Sequence, residues 1–234
     1  MKFDAWLFGK FGPAERAAAA WLRDAVWPEV ALCCACGRVT DGEILCPSCR
    51  LDLQAQGYVF SWDQAEPVPG VIAWGLRPHD GIHRTLIHRL KYGAEARAAE
   101  ALASLVLPLP DSLSFPPDTV VTWVTMPESR RRNRGIDHGR LLAEAVARQL
   151  CLPCRQLLAR RDRREKSQVS LAETGRRANL KGAFTPLEKI SFPVLLVDDV
   201  RTTGTTLARC TEALRDGGAE QVTAMTVTRA HDGK

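Results

Sequence analysis

The sequence predicts an α/β fold: a doubly wound, mainly parallel sheet with a small four-cysteine module at the N-terminus. Three observations predict it. Short apolar runs alternate with segments of helical period between residues 71 and 228, the pattern of a parallel sheet wound with helices. One such run, Val194-Leu195-Leu196-Val197, ends in two adjacent carboxylates and a threonine-rich loop. Ligands of open α/β sheets sit at strand ends of that kind. Finally, four of the five cysteines between residues 33 and 49 form two C-x-x-C pairs, apart from the alternating region.

The chain has 234 residues, 45% of them hydrophobic, which suits one α/β domain with an appendage. The expected division is 1–56 for an N-terminal helix plus the four-cysteine module, and 57–234 for the α/β domain. Segment 14–26 reads as an amphipathic helix with Trp21, Leu22 and Val26 on one side, ended by Pro28. Glu15 and Arg16 interrupt the apolar N-terminus, unlike a signal peptide, and nothing approaches the ~20 apolar residues of a membrane span. A cytoplasmic, reducing setting is expected, where clustered cysteines point to metal before disulfides. Cys33, Cys36, Cys46 and Cys49 supply four thiolates at two tight turns, a closed tetrahedral set suited to structural zinc. Cys34 can stand in for Cys33, which leaves C-x-C spacing.

The α/β elements follow in order. Segment 52–69 is polar and reads as a linker or edge. A strand is expected at 71–76 and a helix at 80–92, with Ile82, Leu86, Ile87 and Leu90 at helical spacing. His83 and His88, five apart, read as packing or surface residues. A second helix is expected at 96–107, a strand at 119–125, a loop at 126–130 and a helix at 136–150. A short strand near 156–158 comes next. Cys151 and Cys154 form a third C-x-x-C with no partner pair and read as buried thiols. The charged stretch 160–181 reads as a long excursion of lid type. A strand at 193–199, a helix at 207–214 stopped by Gly217-Gly218, and a strand at 222–228 complete the sheet.

The net charge is only +5, but arginines crowd two places. Arg130, Arg131, Arg132, Arg134 and Arg140 form one; Arg160, Arg161, Arg163, Arg164 and Lys166 form the other. Both suit an anionic small molecule or a nucleic-acid backbone, and equally a solvated face. Neither carries interleaved aromatics, so base stacking is not indicated.

The central stretch, VLLVDDVRTTGTT, is the most informative. A glycine loop between a buried strand and a helix start presents backbone N–H groups suited to a phosphate, and Thr202, Thr203, Thr205 and Thr206 add hydroxyls around Gly204. Asp198 and Asp199 would repel that phosphate, so another task falls to them: accepting from a ribose diol, or helping to hold hydrated magnesium. A ligand with both a ribose and a phosphate fits both halves.

That stretch resembles the phosphoribosyl pyrophosphate (PRPP) motif of type I phosphoribosyltransferases. The resemblance implies Asp198 and Asp199 on the ribose hydroxyls and catalysis, and Thr202, Thr203, Gly204, Thr205 and Thr206 on the 5′-phosphate. The order of the remaining motifs is that of the ComF/GntX-like branch, linked to DNA uptake in naturally transformable bacteria: the cysteine module, LIHRLKYG, RRRNRGIDHGRLLAEAVA, KSQVSL, RRANLKGAF, then the motif. This likeness covers nearly the whole chain. It implies a pyrophosphate site from Met126, Glu128, Ser129 and Arg130 with Lys91 near the cleft, and Ser167-Gln168 on a mobile lid. PRPP or a nucleotide with magnesium, and single-stranded DNA or a helicase-like competence partner, are the implied ligands and partners. Three departures stand out. Thr125 replaces a family proline before the pyrophosphate loop, no second cysteine quartet follows, and Thr202 replaces the acid of the purine-salvage branch. The resemblance therefore supports two classes of function: pentosyl transfer from PRPP, or a binding protein that keeps the fold without turnover.

Overall fold

The computed structural model describes residues 31–55, 72–93, 95–107, 114–160, 183–201 and 204–229. The helix expected at 14–26, Thr202, Thr203 and the lid beyond Arg160 lie outside the described residues.

Among the described residues, α1 (Pro47–Ala55) opens the order, followed by β1 (Ile72–Pro78), α2 (Gly81–Tyr92) and α3 (Ala96–Ala103), which runs into a single 3-10 turn. Then come β2 (Val120–Trp123), α4 (Glu128–Arg134), α5 (His138–Leu150), β3 (Leu158–Arg160) and β4 (Phe184–Pro186). The final unit is β5 (Val194–Arg201), α6 (Thr205–Asp216) and β6 (Val222–Arg229). Four strands form one sheet in the order β1-β6-β5-β2, and every pairing in it is parallel. β3 and β4 make a separate antiparallel pair.

Alternation along β5 divides the core in two. Leu195 and Val197 pack with Val121, Trp123, Met225 and Val227 against α2, α3 and α5. Val194 and Leu196 pack with Val120, Val222 and Ala224 against α6, β3 and β4. The sheet is thus covered on both faces, which is why its strands read as continuous apolar runs. Gly218, at φ +107°, seals the return from α6: a Cβ there would stand 2.7 Å from the Ile190 carbonyl oxygen.

Five segments differ from the sequence expectation. Residues 52–55, expected in a linker, end α1; Pro47 starts that helix where its missing N–H is harmless, and Cys49 and Leu53 are buried by it. The loop expected at 126–130 gives way to α4 from Glu128, because the Pro127 carbonyl accepts from Arg130 and Arg131 and Glu128 favours a helix start. The strand near 156–158 begins only at Leu158, since residues 153–155 lie along the outer side of β2. Cys151 is exposed rather than buried: it ends α5 in the left-handed conformation, φ 55°. Lastly, β5 runs through both acids to Arg201, because Thr226, Thr228 and Arg229 of β6 continue to pair with it.

Candidate functional site at the carboxyl end of the sheet

The extension of β5 decides where the two acids point. Neighbours in a strand face opposite sides of a sheet. Asp198 shares the α6 side and lines a cavity of about 30 Å³ with Val200, Arg201, Gly204, Thr205 and Thr206. Asp199 shares the α2 and α5 side and is 5% exposed. Its Oδ2 lies 2.8 Å from Lys91 Nζ and 3.5 Å from His138 Nε2. The pair read from the sequence as one grip is therefore split across the sheet.

Each partner of Asp199 is delivered by a helix end. Lys91 stands in the last turn of α2, where a cation complements the helix dipole. His138 is the first residue of α5, whose start is fixed by Asp137: Oδ1 accepts from Arg140 N and Oδ2 from Trp123 Nε1. A third contact fixes the backbone. The Thr228 hydroxyl donates to the Asp199 carbonyl at 3.2 Å and lies 3.1 Å from His79 Nδ1. With its own proton committed, that hydroxyl can only accept from His79, so Nδ1 carries a proton. Burial, with the positive charges of Lys91 and Arg84, holds the His79 ring below its ordinary pKa and keeps it neutral. Burial and then the charge of Asp199 push the Asp198 carboxyl up to about 8, against the pull of the Asp199 N–H, Lys91 and Arg160.

The described part of the loop expected to take a phosphate leads into a helix start. Gly204 precedes α6 at φ +75°, and its carbonyl accepts from Ala208 N. Thr205 and Thr206 follow, exposed, with no acid in the first turn to compete with an anion.

The expected pyrophosphate residues sit at the end of β2. Met126 and Glu128 are half-buried, and Ser129 and Arg130 are exposed. Beyond them opens a cavity of about 720 Å³ whose walls include Arg131, Arg132, Arg140 and Arg155. Neither acid of β5 lines it. Glu128 pairs with Arg131 and Arg132, Glu144 with Arg140, and Glu188 with Arg155, so its four guanidinium groups are already matched by carboxylates.

The four cysteines fit zinc. The Sγ atoms of Cys33, Cys36, Cys46 and Cys49 all lie within 4.8 Å of one another. Cys36 and Cys46 are 3.7 Å apart, against the ~3.8 Å edge of a tetrahedron of Zn–S bonds. The Ser48 hydroxyl holds the Cys46 thiol down at about 6, towards the thiolate a metal requires. Cys34 is excluded from the set: its Sγ turns to the Arg97 carbonyl on α3, and burial raises it to about 11. Among the described residues this is the one group of three or more such side chains able to enclose an ion.

Sequence reading missed His79, His138 and Thr228. It weighed His83 and His88 instead; the first is buried in the core and the second exposed on α2. The available signal was position: His138 directly follows an Asp that reads as a helix cap, and Thr228 ends the strand beside the acids.

A parallel sheet with paired acids ahead of a glycine-started helix is the layout of the type I phosphoribosyltransferase fold, and residues 136–234 match the phosphoribosyl transferase domain. That match, with the relatives below, supports a ComF-like protein of the phosphoribosyltransferase family. It is 29% identical over 202 residues to DNA utilization protein YhgH of Salmonella typhi, covering 82% of this chain and 87% of that protein. Over 105 residues it is 36% identical to Competence protein F of Haemophilus influenzae, 43% of this chain and 46% of that one. A solved structure of the allosteric regulatory enzyme of purine biosynthesis is similar at 18% identity and TM-score 0.42, over 60% of this chain and 30% of that chain. At that score the family assignment stands on the sequence matches. No helix among the described residues is long and apolar enough to cross a membrane.

Proposed function

We propose that this protein binds PRPP, or a related ribose phosphate, with magnesium at the carboxyl end of β5, and transfers the phosphoribosyl group. The observation that carries the reading is the placement of Asp198 beside the Gly204 helix start, with Asp199 following it in β5 on the other face of the sheet, in a chain that matches the phosphoribosyl transferase domain. Asp198 and Asp199 accept from the ribose hydroxyls, and Thr202 to Thr206 receive the 5′-phosphate. Met126, Glu128, Ser129, Arg130 and Lys91 flank the pyrophosphate. Magnesium, when bound, offsets charge growing on the leaving pyrophosphate. Zinc at Cys33, Cys36, Cys46 and Cys49 is structural, and the module of 1–56 serves the domain of 57–234. Calorimetric titration with PRPP and magnesium tests this. Wild type should give saturable heat, and Asp198→Asn/Asp199→Asn should bind at least about 10-fold more weakly, the charge-assisted hydrogen bond of Asp199 being lost. No heat from wild type removes PRPP from the account.

A second reading is favoured by the names of the relatives, DNA utilization and competence proteins, and by the arginine-lined cavity beyond β2. In it the protein acts in DNA uptake and contacts single-stranded DNA or a helicase-like partner, with little or no turnover. A labelled oligonucleotide should then shift in a salt-dependent way, and the shift should be lost on Arg131→Ala/Arg132→Ala. Binding indifferent to salt counts against it.

A further inference from the structure

We propose that Lys91 is a built-in counter-ion for Asp199, holding the cation position beside that acid until a ligand displaces it. The ion pair is short, 2.8 Å, and both ends are sheltered: the side chains are 23% and 7% exposed. A carboxylate this enclosed needs a compensating charge. His138 at 3.5 Å is the other group within reach of the same oxygen, and it is charged only when protonated. The His79 ring is engaged with the Thr228 hydroxyl at 3.1 Å. Of Lys91 and His138, Lys91 is the partner of Asp199 whose charge is fixed.

The position of Lys91 gives the pairing a use. The residue is carried by the last turn of α2, two residues before the capping Gly93, on a side chain with four rotatable bonds. When sugar hydroxyls and a divalent cation reach Asp199, the amine is free to swing away and meet the incoming phosphates. In the ligand-free protein it competes with that cation for the same oxygen. The handover depends on the sugar-phosphate reading, but the pairing and the competition do not.

Thermal melts of the purified full chain, in 0 to ~10 mM manganese chloride without any nucleotide or sugar, separate the two. Wild type should move by less than about one degree, because Lys91 already fills the place, whereas Lys91→Met should be stabilised by several degrees. Lys91→Met/Asp199→Asn should lose that response, which ties it to this carboxylate. Lys91→Arg, retaining the charge, should behave as wild type. Should Lys91→Met fail to melt cooperatively, Lys91→Gln enters the same series with the same expectation. Equal responses of wild type and the uncharged variants overturn the proposal, as does a response that survives Asp199→Asn. Failure to bind PRPP in the separate titration would remove the handover and leave the counter-ion standing.

Discussion

In one region of the molecule the sulfurs of Cys33, Cys36, Cys46 and Cys49 converge to within 4.8 Å of one another; in another, Asp199 faces Lys91 and His138 while Asp198 faces away. Both places gather groups of like charge. The thiols are spaced for an external ion and leave it no open side, as in a structural site. The acids are separated by the pleat, and one of them carries its own cation. The difference teaches which site stays available for exchange: a closed set of soft ligands holds its metal, while a carboxylate with a mobile amine can trade partners.

Removing the metal should break the comparison most severely. Cys49→Ser, or exhaustive chelation, should lower Tm by at least about 10 °C, since structural zinc contributes many kcal/mol and Cys33, Cys46 and Cys49 share the main core. Zinc content and far-UV circular dichroism check it. At the acid end, stability should depend on pH through Asp198. Its folded-state pKa is raised to about 8, so between the ordinary carboxylate pKa and about 8 the folded chain keeps a proton that the unfolded chain has released. Stability is therefore lost as pH rises through that window. Asp198→Asn should flatten the loss and raise Tm by a few degrees at the upper end, while weakening sugar-phosphate binding. A steeper loss in the variant would show the sign to be wrong.

Smaller effects sharpen the contrast. Thr228→Val removes the hydroxyl between His79 and the Asp199 backbone and should cost about 1 kcal/mol in denaturant melts. Arg97→Ala, which releases the Leu32 and Glu43 carbonyls, should cost a similar amount or less, because those contacts are exposed. Arg140→Ala breaks an exposed pair with Glu144 and should change stability by under ~0.5 kcal/mol.

The fold was legible because periodicity reports burial, and both faces of this sheet are covered. The metal set was legible because two C-x-x-C pairs fix geometry locally; only the choice between Cys33 and Cys34 needed coordinates. At the acid end the sequence singled out residues 194–206 and misjudged the shape of that stretch. Whether β5 stops before Asp198 or continues to Arg201 depends on pairing with Thr226 and Thr228 of another strand, and that decides which way each carboxylate faces. Lys91 was reached through family resemblance, since nothing local marks the end of α2 as lying near Asp199. His79 and His138 meet the site only through the crossing of β1, α2 and α5, which no local pattern encodes.

The apolar residues of α2, namely Leu86, Ile87 and Leu90, belong to the same continuous core as Leu45, Cys46 and Leu53 of the cysteine segment. A fragment begun at residue 57 would therefore bare a greasy flank on the very helix that carries Lys91. Such a fragment is expected to clump in solution rather than survive as a leaner catalyst. Grafting the cysteine segment onto an unrelated host would require transplanting that helix along with it.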